Sequence, residues 1–231
     1  MKNSSPIKRT ILFLTIAVFV FCLLTYFVGF WVISTEWKRE FSTEQISNWT
    51  KDIENTPKIS ENFKSIFSTL KPFASKNEIK IKYHDYIWKH LFGFWPKRRH
   101  SSNFYSQKVA ELILKTDERI WKNLFDQSLI LAFGIENFVT PSKCVDYYLN
   151  NVIVYYPINS IDTIHKITGI NGIANYKFNK NIVELTEDEV LEVIVSFDFG
   201  NKRLDKFYDS ALLEKRKKTL KLMLKRKKLN K

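Results

Sequence analysis

The residues with the clearest chemical potential are clusters of Lys and Arg, which suit anionic ligands. The chain has a formal net charge of +13, concentrated in Lys97, Arg98 and Arg99 and in the tail from Lys215 to Lys231. Such patches are typical of nucleic-acid binding, but an exported domain, which the N-terminal segment predicts, does not normally meet nucleic acid. We therefore expect anionic lipid headgroups or a phosphate-bearing lipid as partners and no nucleic acid. A solvated basic face is the alternative.

Aromatic residues directly precede the first basic cluster. His84 to Trp95 has the sequence HDYIWKHLFGFW and is followed at once by PKRRH. Rings beside cations suit the membrane–water interface, with the rings at the acyl boundary and the cations at the phosphates. An aromatic core helix that ends in a basic loop fits the same periodicity.

Metal, thiol and serine-hydrolase chemistry have no supporting pattern. The four histidines form no H-E-x-x-H motif, so we expect no metal site. There is no G-x-S-x-G and no Gly-rich phosphate loop, and we expect no cofactor. Cys22 lies in an apolar stretch and Cys144 stands alone beyond it, which excludes a disulfide within the domain and a Cys-based zinc site. We expect Cys144 to be a small buried apolar group.

The stretch from Thr10 to Thr35 predicts a transmembrane helix. It contains no charged residue, and at ~1.5 Å per residue it can cross a hydrocarbon core of ~30 Å. Lys8 and Arg9 precede it without an acid, which predicts cytoplasmic residues 1–9 and an external domain. We thus expect a single-pass protein of the inner (cytoplasmic) membrane with a periplasmic or extracellular domain. A cleaved signal peptide is the alternative, although no A-x-A-like site follows.

The remaining chain predicts a mainly α-helical protein. We expect residues 36–58 to form a juxtamembrane helix or connector and residues 59–231 to form one domain with a basic C-terminal helix. The segment from Asn150 to His165 should be irregular, with a short strand at Val152–Tyr156. Apolar spacing and helix-start signals predict helices over Ile59–Leu70, Asn103–Leu114 and Glu118–Phe133, after Pro141, over Gly169–Lys180, after the capping box of Thr186 and Glu189, and from Ser210 onward with Leu213, Leu220, Met223 and Leu224 along one side.

Several motifs share their spacing with one enzyme family. The pattern G-I-x-x-x-A-x-Y-x-F-x-K is matched by Gly169, Ile170, Ala174, Tyr176, Phe178 and Lys180, and L-T-x-x-E is matched by Leu185, Thr186 and Glu189. Two further segments resemble family patterns: R-x-x-V-L-x-x-M at Arg216, Leu220 and Met223, and E-x-Y-L-N at Asp146, Tyr148, Leu149 and Asn150. In these residues the chain resembles the bacterial peptidoglycan glycosyltransferases (glycosyltransferase family 51), the transglycosylases that polymerise lipid II. It is similar to a divergent monofunctional member. The resemblance runs from about Ile59 to the C-terminus and implies a two-lobed, lysozyme-like α-helical domain.

The segment SSNFYSQKVA, Ser101 to Ala110, resembles the family signature G-G-S-T-I-T-Q-Q-L-A. Gln107 and Ala110 are identical, Ser106 keeps a hydroxyl, and Lys108 replaces the second Gln. Charge-assisted hydrogen bonds are roughly twice as strong as neutral ones, so cations and amide donors suit a diphosphate. The resemblance therefore implies a substrate-binding site at Ser102, Asn103, Ser106, Gln107 and Lys108, with Lys97, Arg98 and Arg99 nearby. The alternative is that these residues only cap and solvate a helix start.

The two carboxylates of the family's reaction are replaced in this sequence. One acts as general base on the acceptor hydroxyl and the other assists the departing diphosphate. Their positions fall on Lys71 or Pro72, and on Gln127 or Ser128, so the sequence supports no confident catalytic residue. Candidates for relocated acids are Glu61, Glu78 and Asp126. Glu78 is the first choice, and an exposed loop carboxylate is its alternative.

Three functions are consistent with this sequence. The first is a membrane-anchored member of the family that binds lipid II or a glycan strand in cell-wall assembly, with catalysis lost or impaired; its partners would be membrane lipids and cell-wall synthesis proteins. The second is an active, divergent transglycosylase with relocated acids. The third is a non-enzymatic, membrane-anchored helical adaptor with a basic tail, in which case the resemblance is fortuitous. Whether the protein is an enzyme stays open at this point.

Overall fold

The computed structural model describes residues 6–71, 105–116, 124–158, 160–200 and 210–229. Within these ranges the protein is mainly α-helical, as predicted, with a two-stranded sheet. The elements in chain order are α1 (Pro6–Glu40), α2 (Thr43–Glu54), α3 (Glu61–Leu70), α4 (Tyr105–Thr116), α5 (Leu124–Glu136), α6 (Pro141–Asn151), β1 (Ile153–Ile158), β2 (Ser160–Thr168), α7 (Gly169–Phe178), a 3-10 turn (Ile182–Glu184), α8 (Glu187–Gly200) and α9 (Ser210–Leu229).

Helix α1 carries an apolar segment and packs on the protein core near its C-terminal end. Its segment Thr10–Val28 is long and apolar enough to cross a membrane. The helix then continues without a break to Glu40, and Trp37 near its end is only 8% exposed. The ring of Trp37 contacts α5, where a Cβ added to Gly134 would lie 3.3 Å from it. The candidate anchor and the domain therefore share one continuous helix.

Helices α2 and α3 begin at serine caps. Ser42 accepts from the backbone N–H of Gln45, whose side chain in turn accepts from the N–H of Ser42. Ser60 caps α3 by accepting from the N–H of Phe63 at 3.4 Å. Such caps satisfy amides that have no partner within the helix. The predicted helix Ile59–Leu70 is confirmed as α3, which begins two residues later because Ser60 is the cap.

Helices α4, α5 and α6 pack together in the centre of the described core. Thr140 caps α6 and Pro141 occupies its first turn, as predicted. Cys144 on α6 is fully buried. Burial first, and then the negative charges of Glu136 and Glu54, raise the pKa of its thiol to about 12. The prediction that Cys144 is a small buried group is confirmed. The main buried side chains are Val109, Ala110 and Leu114 on α4, Leu129, Leu131 and Ile135 on α5, and Val145 and Leu149 on α6.

The segment predicted to be irregular, Asn150 to His165, is largely an antiparallel hairpin. The short strand expected at Val152–Tyr156 is present as β1, and β2 pairs with it, with Val154 opposite Ile167 and Tyr155 opposite Lys166. Val154 and Ile167 are buried, whereas Tyr155 and Lys166 are exposed. This alternation is typical of a half-buried sheet. The prediction of an irregular segment was wrong because Pro157 and nearby Asn and Ser residues suggested a loop, whereas Pro157 lies at a register irregularity that tolerates it.

Gly169 joins β2 directly to α7 in a conformation that requires glycine. Its φ is +67°, and a Cβ at this position would lie 2.2 Å from the carbonyl oxygen of Asn150. Its backbone N–H donates to the carbonyl oxygen of Val152 at 2.7 Å. Only a residue without a side chain allows this close approach of the α6 end to the start of α7.

The C-terminal helices confirm the predicted capping box and the predicted helix from Ser210 onward. The hydroxyl of Thr186 and the carboxylate of Glu189 form a capping box at the start of α8. Helix α9 packs on α3 and α8, with Leu220 and Leu224 each 2% exposed. Met223, predicted on the same side, is 38% exposed. Leu213 also packs against this core, so Leu213, Leu220 and Leu224 form the contact and Met223 is more exposed.

Candidate substrate-binding site

The described part of the signature segment lies at the start of α4 and is tied to α5. The hydroxyl of Ser106 donates a hydrogen bond to the Oε1 atom of Glu136. Ser106 is 4% exposed and Glu136 is 7% exposed. A hydrogen bond between a hydroxyl and a buried carboxylate is strong because a charged acceptor in a low-dielectric interior needs partners. This pair fixes the beginning of α4 against the end of α5.

A second polar contact joins the same two helices. Gln107, which is 1% exposed, donates from Nε2 to the hydroxyl of Ser128 at 3.5 Å. The Oε1 atoms of Gln107 and Gln127 are buried and have no hydrogen-bond partner among the described residues. A buried polar atom without a hydrogen-bond partner destabilises the folded protein. A hydrogen-bond donor near either of these two amide oxygens would therefore be stabilising.

The positions predicted for the family's second acid carry neutral groups in this arrangement. Ser128 is fully buried, and Gln127 is half-buried. Neither side chain can exchange a proton near neutral pH as a carboxylate does. Asp126, a candidate relocated acid, precedes them on α5, and Glu61, the other described candidate, is exposed in the first turn of α3.

Lys108 contacts an aromatic ring rather than only solvent. Its Nζ atom lies 5.4 Å from the centroid of the Tyr148 ring on α6, a cation–π distance. Tyr148 belongs to the motif that resembles E-x-Y-L-N and packs edge-on against Tyr105, with ring centroids 5.6 Å apart. The two motif segments predicted from the sequence are therefore brought together by direct contact.

Asp146, from the same motif, holds a buried ion pair between α3 and α6. The Nζ atom of Lys64 lies 3.0 Å from Oδ1 and 3.1 Å from Oδ2 of Asp146, and 3.0 Å from the hydroxyl of Ser142. The side chain of Asp146 is 3% exposed and that of Lys64 is 23% exposed. Removing one partner would leave a buried charge, so the pair fixes how α3 packs on α6.

Sequence reasoning missed Glu136. This carboxylate ends the apolar helix α5, accepts from Ser106, and lines an open pocket of about 380 Å³ with the loop that runs to Ser142. The available signal was a single acid at the end of the apolar run LILAFGIE. An acid in that position needs a polar partner when the helix is buried.

The remaining predicted site residues lie outside the described ranges, apart from Lys71, which ends α3 at its C-cap. Within the described part of the chain, no group of three His, Cys, Asp or Glu residues is arranged to hold a metal ion. The predicted residues outside the described ranges are Pro72, Glu78, Lys97, Arg98, Arg99, Ser102 and Asn103.

Acidic residues of α8 pair with several cations of the C-terminal half. Glu192 lies 2.8 Å from Lys177 and 2.9 Å from Lys217. Burial raises the pKa of the Glu192 carboxyl, but the hydrogen bonds and charges of these two lysines outweigh it and lower that pKa overall. The Nζ atom of Lys221 lies 2.8 Å from Asp188, an exposed pair. These ion pairs join α7 to α8 through Lys177, and α9 to α8 through Lys217 and Lys221.

Other cations of α9 face away from the core. Lys215, Lys218, Lys225 and Arg226 are exposed, and their spacing places them on one side of the helix. Leu222 and Leu229, which are 59% and 76% exposed, lie among them. We call these six residues the outer face of α9. A helix face with cations beside exposed Leu suits an anionic lipid surface.

No family model matches the chain, and no curated protein matches it.

Proposed function

We propose that this chain is a membrane-anchored protein of the peptidoglycan glycosyltransferase type that acts in cell-wall glycan assembly. In this proposal it binds lipid II or a glycan strand, and its catalysis is lost or impaired. The observation that carries the proposal is the pair of neutral residues, Gln127 and Ser128, in the buried helix contact where the family's second acid is expected. A group that cannot change charge there would support a bound ligand but not a departing diphosphate.

The fold of this proposal is a two-lobed, lysozyme-like α-helical domain over residues 59–231. This fold is supported by the packing contacts that residues of the resembling segments make. Ser106 and Gln107 join α4 to α5, Lys108 contacts Tyr148, and Gly169 allows a contact that a Cβ would prevent. Because these motif residues hold the helices together, the fold can be retained even where the catalytic acids have been replaced.

The proposed location is the inner (cytoplasmic) membrane. Helix α1 supplies a single span over residues 10–35, and its flanking cations, Lys8 and Arg9, favour a cytoplasmic N-terminus. The domain would then be periplasmic or extracellular, where lipid II is polymerised. Membrane lipids are a second partner in this proposal because the outer face of α9 combines cations with exposed Leu222 and Leu229. Cell-wall synthesis proteins are the protein partners that such a function implies.

The proposed ligand contact is the lipid diphosphate at the start of α4. Ser106 and Gln107 are buried, so their role in this site is to position the helix start, and Lys108 is the half-buried cation beside them. The direct contacts would come from Ser102, Asn103, Lys97, Arg98 and Arg99. A diphosphate needs several donors, and each bond to a charged group contributes ~1.5–3 kcal/mol.

Binding of fluorescent lipid II to the full chain in detergent tests this function. The variant K97Q/R98Q/R99Q should weaken binding at least ~10-fold, because it removes charge-assisted bonds to the diphosphate. The matched control K51Q/K58Q/K115Q removes the same charge from exposed positions of α2, the following loop and α4, and should bind as the wild type does. The proposal is contradicted by an absence of saturable binding, or by equal losses in both triple variants.

A second function, an active but divergent transglycosylase, is favoured by one observation. Glu136 is a carboxylate that touches the signature segment through Ser106 and also lines an open pocket. A buried acid beside a pocket is a candidate for proton transfer. In this case lipid II would be converted to glycan polymer, and Glu136→Gln or Glu78→Gln would abolish the polymer.

A further inference from the structure

The loop that follows α5 presents an aromatic side chain beside the end of α1. Phe138 is 58% exposed. Its ring packs edge-on against Trp37, with ring centroids 5.9 Å apart and an angle of 89° between the planes. Val139, the next residue, is 3% exposed and holds the loop on the core. Phe138 is therefore fixed in place on α1 while more than half of its surface has no protein contact.

The height of this contact relative to a bilayer follows from the length of α1. The apolar stretch runs from Thr10 to Ile33, and the helix is unbroken up to Glu40. Trp37 lies ~23 Å along the helix axis from the midpoint of that stretch. A helix tilted so that this ~36 Å stretch fits a hydrocarbon core of ~30 Å places Trp37 ~19 Å from the midplane. The headgroups occupy the layer from ~15 Å to ~20–22 Å, so Trp37 and the attached Phe138 lie at the level of the headgroups.

The charges around this contact also suit phospholipid. Lys38 is exposed, and its Nζ atom lies 5.4 Å from the centroid of the Trp37 ring. Arg39 is exposed as well and pairs with Glu36 and, at 3.5 Å, with Glu40, so the end of the helix carries charges of both signs. On the membrane side Trp31 is 67% exposed. Aromatic rings with cations just beyond them are the usual arrangement at a membrane–water interface.

We propose that Asn137 and Phe138 form an interfacial contact that rests the domain on the bilayer crossed by α1. The Phe138 ring lies in the headgroup layer beside Trp37, and Lys38 and Arg39 lie at the level of the phosphates. The occupant of this surface is the phospholipid interface and not another protein. This proposal rests on the anchoring part of the proposed function and does not depend on lipid II binding.

Nitroxide labels in the full chain test this contact in nanodiscs of phosphatidylcholine and phosphatidylglycerol. The background is Cys22→Ser, since Cys144 is buried, with a thiol pKa of about 12 that keeps it unreactive. Three labelled positions are compared: Asn137→Cys, which keeps Phe138; Trp31→Cys, which reports whether α1 spans; and Val183→Cys in the 3-10 turn, where Val183 is 67% exposed.

The ratio of collisions with oxygen to collisions with a water-soluble nickel complex reports depth in the bilayer. We expect this ratio to be high at position 31 and low at position 183. At position 137 it should be at least ~3-fold higher than at position 183, because an interfacial site lies between the two environments. The proposal is overturned if position 137 is as aqueous as position 183 while position 31 lies in the membrane. An aqueous position 31 would overturn both this proposal and the anchor.

A second comparison separates insertion of the ring from mere proximity. Phe138→Ser should lower the ratio at position 137 toward that of position 183, whereas Phe138→Leu should keep it, because the apolar side chain drives the contact. Circular dichroism checks that both variants keep their helix content. Equal ratios in the two variants would contradict a role for the Phe138 ring.

Discussion

The hydroxyl of Ser106 on α4 donates to the carboxylate of Glu136 at the end of α5, across 30 residues of sequence. Both side chains are almost fully buried. The bond therefore joins the segment that resembles the family signature to an acid that the sequence pattern did not identify. The free energy of unfolding should therefore depend on this hydrogen bond.

Removal of this donor should destabilise the protein. We expect Ser106→Ala to lower the free energy of unfolding by ~1.5–3 kcal/mol, because a buried carboxylate loses a hydrogen bond. Urea unfolding of the full chain in detergent measures the change. Thr219→Ala is the matched control, since it removes an exposed hydroxyl that bonds only within its own helix. Equal unfolding midpoints for Ser106→Ala and the wild type would contradict this assignment.

Gly169 should not tolerate a side chain. The positive φ and the 2.2 Å approach of Asn150 lead us to expect a loss of at least ~3 kcal/mol for Gly169→Ala, or no folded protein. Asn175→Ala is the control within the same helix, because Asn175 is exposed and its side chain can be shortened without a clash. Thermal unfolding followed by circular dichroism compares the two. A similar small effect of both changes would show that the Gly169 backbone is not constrained.

The capping box of α8 should give a pH-dependent contribution to stability. The hydrogen bond from Lys180, aided by the backbone of Thr186, lowers the pKa of the Glu189 carboxyl to about 2 from an ordinary value of 4.5. A lowered pKa means that the contribution is present above pH 4.5 and disappears as the pH falls toward 2. Glu189→Gln should therefore be less stable than the wild type at pH 7, with a difference that shrinks between pH 4.5 and 2.

Unfolding curves at several pH values measure that difference for Glu189→Gln. Glu44→Gln, which changes a first-turn acid of α2, is the control and should change stability less at pH 7. A difference for Glu189→Gln that stays constant from pH 7 to pH 2 would rule out the proposed linkage.

The outer face of α9 should respond to anionic lipid. A polarity-sensitive dye on Thr219→Cys should shift its emission to the blue in nanodiscs with phosphatidylglycerol but not in phosphatidylcholine alone, because each cation near an anionic surface adds ~1 kcal/mol. The shift should disappear in K215Q/K218Q/K225Q/R226Q and persist in K51Q/K58Q/K115Q/K166Q, which removes the same charge from exposed positions elsewhere. Identical emission in both lipid mixtures would exclude the contact.

The sequence predicted most of the helices because their signals are local. Pro141, the pair Thr186 and Glu189, and the apolar spacing of α3 each act within a few residues. The hairpin was partly missed because Pro157 suggested a loop, and only the pairing of β2 with β1 shows that the chain accommodates it. Local signals cannot reveal which distant side chains meet.

Long-range polar contacts were the part of the site that sequence reasoning could not supply. Lys64 pairs with Asp146 across 82 residues. No local sequence pattern at either residue indicates this pairing. The acid Glu136 was missed for the same reason, since its partner Ser106 lies on another helix. The resemblance did bring Lys108 and Tyr148 into consideration, and the structure places them in contact.

Incubation of the full chain with labelled lipid II in detergent, followed by separation of glycan products by size, tests the central claim most directly. We expect saturable binding of lipid II and no glycan polymer above the level of a protein-free control, because in the proposed function the neutral residues Gln127 and Ser128 replace a carboxylate. Polymer that forms with the wild-type chain and disappears in Glu78→Gln or Glu136→Gln would contradict it.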